Sequence, residues 1–190
     1  MTLQKIKAAA LKNFAENGYD GSSLAQIAEE VGIKKQSIYT YFKSKDMLFQ
    51  TLYQDVLEQE LAFMRDFLAT HDDVLQRKLF ALLRAWEQRF QEQVATKFFI
   101  RTSFFAPQHL EAVITKHVYV YLDALEQLFS AYFAKHPLAV RAEDAAIAYL
   151  ALLDSLFVEM LYGGHARFER RLQAGWLVFW NGVSQQEVSS

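Results

Sequence analysis

A chain of 190 residues that is 52% hydrophobic and 15% aromatic, with only seven Gly and two Pro, has room for a sizeable core; long helices are expected and a many-turned β-fold is not. The absence of Cys excludes disulfides, thiolate metal sites and thiol nucleophiles, and fits a reducing cytoplasm. The net charge of −2 conceals an asymmetry: seven Lys against five acids leave residues 1–50 at +2, and 13 Lys and Arg against 17 acids leave residues 51–190 at −4, so attraction to phosphate is confined to the amino-terminal end.

In chain order, Met1-Thr2-Leu3-Gln4-Lys5 opens no apolar run of signal-peptide length, and no uncharged stretch reaches the length of a transmembrane helix, so no membrane partner is expected. Leu3, Ile6, Ala10 and Phe14 recur at helical spacing, and Asn17-Gly18 ends that first helix. Ser23 with Gln26 three residues on reads as a capping box opening a second helix, whose apolar face is Leu24, Ile27, Ala28 and Val31. Gly32 supplies the positive φ that a tight inter-helix turn needs, and Ile33 plugs the turn. Ile38 and Phe42 hold down a short third helix, and Ser44 caps a fourth with Lys45 in its first turn.

This arrangement is a helix-turn-helix, and its outward residues suit double-stranded DNA. Gln36 can pair with adenine at two points, Lys35 can donate to guanine, Ser37 and Thr40 are short donors, and the Thr40 methyl can meet a thymine methyl. Tyr39, Tyr41 and Lys45 have the reach for phosphates, and Ser22, Ser23 and the free amides of the second helix form another phosphate site. The alternative is an ordinary solvated face.

The string Phe14-Ala15-Glu16-Asn17-Gly18-Tyr19, Ser23-Leu24-Ala25-Gln26-Ile27-Ala28, Val31-Gly32-Ile33 and Ser37-Ile38-Tyr39-Thr40-Tyr41-Phe42-Lys43-Ser44-Lys45 resembles the tetracycline-repressor (TetR-type) family of bacterial transcription regulators over roughly the first 48 residues. The resemblance implies that Ser23, Lys35, Gln36, Ser37, Tyr39, Tyr41 and Lys45 face DNA. Two positions depart from the pattern. Lys34 stands where a capping Ser or Thr is usual, so it is either a poor cap or an added phosphate contact, and Thr40 stands where His or a larger residue is common.

Beyond residue 50, periodicity places a helix from Lys45 to about Leu68, a break with an N-cap at His71-Asp72-Asp73, and a helix through Leu75, Leu79, Leu82, Leu83, Trp86 and Phe90. Thr96 is a candidate cap for the next, which Pro107 stops; another spans about Gln108 to Lys135 before Pro137, and the last two span about Ala142–Tyr162 and Ala166–Gly182, separated by Gly163-Gly164. The expected architecture is all-α, about nine helices, with a three-helix DNA-binding domain at 1–46 and a larger helical domain at 47–190.

The last two helices are apolar nearly all round, which makes them either central to the domain or buried on another subunit. The resemblance implies the second, a homodimer in which Leu153, Phe157, Met160, Leu172, Trp176, Phe179 and Trp180 meet a second copy. Trp86, Phe90, Phe98, Phe99, Phe105 and Tyr119, with Arg101 for an anionic head group, are either core or the lining of a cavity for a small apolar or aromatic effector, and the resemblance favours the cavity. No cofactor, metal or catalytic set is expected: His71-Asp72, His109-x-Glu111 and His117 lack zinc-helix spacing, no Ser sits in a glycine elbow, and His136 and His165 read as helix-end residues favoured by the helix dipole. The expectation is a ligand-responsive DNA-binding repressor; the rivals are a small-molecule-sequestering protein with a vestigial helix-turn-helix and a DNA-binding dimer without an effector.

Overall fold

A computed structural model describes residues 2–70 and 74–184. The break expected at His71-Asp72-Asp73 lies outside the described residues. The helices are α1 (Thr2–Asn17), α2 (Leu24–Val31), α3 (Lys35–Ile38), α4 (Lys45–Thr70), α5 (Leu75–Glu92), α6 (Val94–Phe104), α7 (Glu111–Phe133), α8 (Ala142–Val158) and α9 (Gly164–Val183). A 3-10 turn over Gln108–Leu110 leads into α7, and a π-turn over Glu159–Gly163 joins α8 to α9. Among the described residues there is no strand, only an isolated bridge between Leu138 and Ser184.

The chain forms two compact units, Met1–Glu60 with Phe90–Tyr119, and Leu61–Arg89 with Val120–Ser190. In the first, Ile6, Ala10 and Phe14 of α1 are buried with Ile27, Ala28, Ile38 and Phe42, as the apolar periodicity demands, and α2 packs against both α1 and α3. Phe14, Phe49 and Phe98 continue it in edge-on contacts of 5.0 and 5.2 Å between ring centroids. Polar ties fix α1 in place. Asn13 Nδ2 donates to Ala9 O (2.9 Å) and to Glu30 Oε2 of α2 (2.7 Å), and Lys7 Nζ lies 2.6 Å from Asp55 of α4.

Thr96 is not a cap. Gln93 occupies the N-cap of α6 without a side-chain bond, because the helix begins three residues earlier than the cap signal suggests. Thr96 is instead fully buried and donates Oγ1 to Glu60 Oε1 at 2.7 Å. A buried carboxylate needs donors more than a helix end open to water needs a cap.

In the second unit Trp86 is wholly buried, edge-on to Phe157 at 5.0 Å and to Phe63 at 5.7 Å. Tyr149, also fully buried, donates its hydroxyl to Leu79 O at 2.8 Å, and burial drives its phenol well above the ordinary range. Helices α8 and α9 pack as a hairpin in which Gly175 lies where a Cβ would come within 2.4 Å of Leu152 Cδ1. The hairpin turns at Gly164, φ +70°, and the buried Glu159 pairs with Arg167 (2.9 Å) and Arg171 (2.5 Å) of α9. Contrary to the composition reading, Ala142–Val183 contains an 18-residue window of mean hydropathy 1.6, long and apolar enough to cross a membrane; 56% of that window is buried in the protein's own core.

Thr96→Val should destabilise the fold by about 1–3 kcal/mol, because it removes a donor from a carboxylate that water does not reach. Urea denaturation followed by circular dichroism measures this; a loss under about 0.5 kcal/mol would show the Thr96–Glu60 bond to be incidental.

Candidate nucleic-acid interface

The reading helix is only four residues long, far too short to persist alone. Its position is set by what surrounds it. Ser23 at the N-cap of α2 accepts from Gln26 N at 3.2 Å, and its hydroxyl donates to Gln26 Oε1 at 2.8 Å, so one half of the capping box is formed and the other is replaced by a side-chain pair. Gly32 closes α2 at φ +74° and donates to the Ala28 and Glu29 carbonyls. Ile33 N then donates to Ala28 O at 2.9 Å, which completes the turn. Ile38 and Phe42, at 0% and 3% exposure, anchor the segment.

These anchors leave Lys34, Lys35, Gln36, Thr40 and Lys43 exposed, with Tyr39 and Tyr41 at 48% and 42% and Ser37 partly exposed. The expected reading face is thus solvent-facing and continuous. Lys34 has extended backbone (φ −74°, ψ 144°) and makes no side-chain cap. An ammonium has no lone pair to offer an amide, so its side chain is committed to nothing local.

Two expected phosphate contacts are corrected. Ser22 is 3% exposed and donates its hydroxyl to Gly18 O at 2.8 Å, so it belongs to the loop between α1 and α2. Lys45 turns inward: Nζ donates to Tyr19 O (2.8 Å) and Ser22 O (3.0 Å) and stands 3.8 Å from the centroid of the Tyr19 ring. The Tyr19 hydroxyl donates to Asp46 Oδ1, and His109 Nε2 lies 3.3 Å from the same oxygen. The Tyr19 phenol, with His109 adding, holds the Asp46 carboxyl below its usual range, while burial first and Asp46 second push the phenol far above its own. Sequence reading missed this clasp because Tyr19, Asp46 and His109 are far apart in the chain.

The expected effector residues are divided between the two units. Trp86 is core in the second unit, while Phe98 and Phe99, at 1% and 3% exposure, are core in the first. Phe90 is half-buried, and Tyr119 lies open to solvent. A cavity of about 160 Å³ does lie within the first unit, lined by Phe14, Gly18, Tyr19, Phe49, Arg101, Thr102, Phe105 and Pro107. Arg101 and Phe105 are expected residues that line it, and Arg101 Nη1 donates to Ala15 O at 3.1 Å. The volume is below the roughly 300–1,000 Å³ of pockets that enclose drug-sized ligands.

The expected dimer residues are corrected too. Leu153, Phe157, Met160, Leu172, Trp176 and Phe179 are all buried within the chain's own core, and Trp180 is half-buried. The apolar side chains that α8, the π-turn and α9 expose are others: Ile147, Val158, Tyr162, Leu177 and Val178. An all-round apolar helix carries both sets, and periodicity does not say which face turns inward.

Two helices meeting across a glycine turn, the second presenting a polar cationic face over buried apolar anchors, define a helix-turn-helix DNA-binding protein. Residues 6–52 match the sequence model of the tetR family of bacterial regulatory proteins. The chain is 26% identical over 158 residues to IcaR of Staphylococcus epidermidis, the negative transcriptional regulator of the biofilm operon icaADBC, with 80% of each chain covered. Two solved structures share the fold: the transcriptional regulator FadR of Bacillus subtilis in complex with stearoyl-CoA (TM-score 0.69, 17% identity, 95% of this chain and 98% of that one) and NalD of Pseudomonas aeruginosa, the secondary repressor of the MexAB-OprM multidrug efflux pump (TM-score 0.69, 20% identity, 97% and 98%).

Lys34→Thr should supply the missing cap and stabilise the protein by about 1 kcal/mol. It should at the same time weaken binding to any DNA if Lys34 meets a phosphate. Thermal unfolding and DNA titration of the same variant separate the two effects.

Proposed function

We propose that the chain is a cytoplasmic homodimeric repressor that reads a palindromic operator through Lys35, Gln36, Ser37 and Thr40 and holds it through Ser23, Lys34, Tyr39 and Tyr41. The observation that carries the reading is the division of labour in the third helix and the turn after it: Ile38 and Phe42 are buried while every other side chain from Lys34 to Lys43 is exposed or partly so. IcaR's role as a negative regulator supports repression. A symmetric dimer places two such helices in successive major grooves and multiplies specificity. The exposed stripe of Ile147, Val158, Tyr162, Leu177 and Val178 supports pairing through α8 and α9, because apolar side chains so placed gain by mutual burial.

Release by a small molecule is the second half of the proposal. FadR, bound to an acyl-CoA, supports it by likeness of fold. An effector acts only through its different affinity for two conformations, and α4, which is continuous from Lys45 to Thr70 and shared by both compact units, is the element able to carry the change. One observation favours a DNA-binding dimer without effector: Trp86, Phe98 and Phe99 are packed as core, and the cavity beside Arg101 and Phe105 admits only a small compound. Nothing favours the sequestering reading.

Operator titrations at several salt concentrations test the first half. Tyr39→Ala should weaken binding to all sequences alike. Gln36→Ala should relax preference at one base position, at a cost of about 1–3 kcal/mol on the preferred operator. An unchanged preferred sequence in Gln36→Ala removes that residue from the reading set. Sedimentation tests the second contact: Leu177→Glu should shift the protein to monomer and abolish tight operator binding, whereas an unshifted dimer places the interface elsewhere.

A further inference from the structure

Glu87 of α5 and His165 and Glu169 of α9 converge in the second unit, and one ligand atom from each lies within 4.8 Å of the other two. The i, i+4 spacing sets His165 and Glu169 on one face of α9, and Gly164, with its positive φ, starts that helix where this face meets α5. The dipole reading of His165 is thereby corrected, for it stands at the N-terminal end of α9, where a cation is disfavoured. His165 Nδ1 is 2.7 Å from Glu87 Oε1; a carboxylate only accepts, so Nδ1 carries the proton of that bond. The Glu87 and Glu169 side chains are recessed, at 12% and 27% exposure, while the imidazole is 66% exposed and leaves a path from solvent.

We propose that Glu87, His165 and Glu169 form a binding site for a divalent first-row transition-metal ion. One imidazole nitrogen with two carboxylate oxygens suits a borderline ion such as zinc, cobalt or manganese better than calcium, which takes oxygens alone. Zinc binds such atoms at about 2.0–2.2 Å, so the ligand atoms of one ion stand roughly 3–3.5 Å apart. The His165–Glu87 pair has to widen only slightly and Glu169 to close. The ion takes the place of the proton between Nδ1 and Oε1; that proton passes through water to the exposed Nε2, so the imidazole stays neutral, and the freed Nδ1 lone pair and the carboxylate oxygen both become ligands. Water fills the fourth position.

Arg84 is the competitor. Its Nη1 contacts Glu169 Oε1, its Nη2 lies 2.7 Å from Glu169 Oε2, and Nη1 is 4.0 Å from Glu87. A metal ion has to take at least one Glu169 oxygen from this guanidinium, so the affinity reports the contest between the two cations.

Calorimetric titration of the full chain with zinc chloride, and visible absorption on adding cobalt(II), test the site. One ion per chain is expected. His165→Ala and Glu169→Gln should each weaken binding at least tenfold with the helical circular dichroism spectrum intact, and His136→Ala should bind as the parent does. Arg84→Met should bind more tightly. Absence of stoichiometric binding, or a His165→Ala variant that binds like the parent, overturns the site; unchanged or weaker binding in Arg84→Met overturns the role given to the arginine.

Discussion

Everything this protein presents to DNA rests on the burial of two side chains, Ile38 and Phe42. A helix of four residues gains almost nothing from its own hydrogen bonds, since nucleating the first turn is unfavourable and there is no length over which to recover the cost. The apolar cluster of α1 and α2 supplies the missing free energy: burying two such side chains is worth about 3–6 kcal/mol, more than any cap in the segment. Lys34 is tolerated as an ineffective N-cap for this reason. The helix is held from beneath, so its end can be left to water and to whatever anion arrives.

A second clasp works on the same segment from its far side. Lys45 binds the carbonyls of Tyr19 and Ser22 and lies over the Tyr19 ring, and Asp46 receives the Tyr19 hydroxyl. The start of α4 is thereby tied to the loop after α1. His109, at the 3-10 turn before α7, touches both Tyr19 and Asp46. An opening of that turn would reach the loop after α1 and the start of α4 through His109, Tyr19 and Asp46.

The amino-terminal unit was legible in the sequence because its signals are local. Ser23 with Gln26, Gly32, and the spacing of Ile38 and Phe42 each act within a few residues: Ser23 caps α2 although only half of the capping box forms, Gly32 takes positive φ, and Ile38 and Phe42 are buried. Lys45 was misjudged because exposure was inferred from residue type, whereas its two carbonyl partners lie more than twenty residues away. Trp86, Phe98 and Phe99 were ambiguous in principle: an aromatic at helical spacing packs or lines a cavity according to which neighbours arrive, and that is tertiary information. The same holds for α8 and α9, where the side chains that meet the core and those left outside are equally apolar. Glu87, His165 and Glu169 left only a faint trace, an i, i+4 pair whose third member stands on another helix.

Because the anchors and the residues proposed to read DNA are different, the two are free to change on separate terms. Lys35, Gln36 and Thr40 touch nothing that the fold requires, so substitutions there carry little stability cost, typically within about 0.5 kcal/mol for exposed sites. A duplicated copy of this gene product could therefore be retargeted to a new operator by a few surface changes while its core stayed fixed. Ile38 and Phe42 have no such latitude, and descendants that recognise quite different sequences should still carry apolar side chains at those two positions.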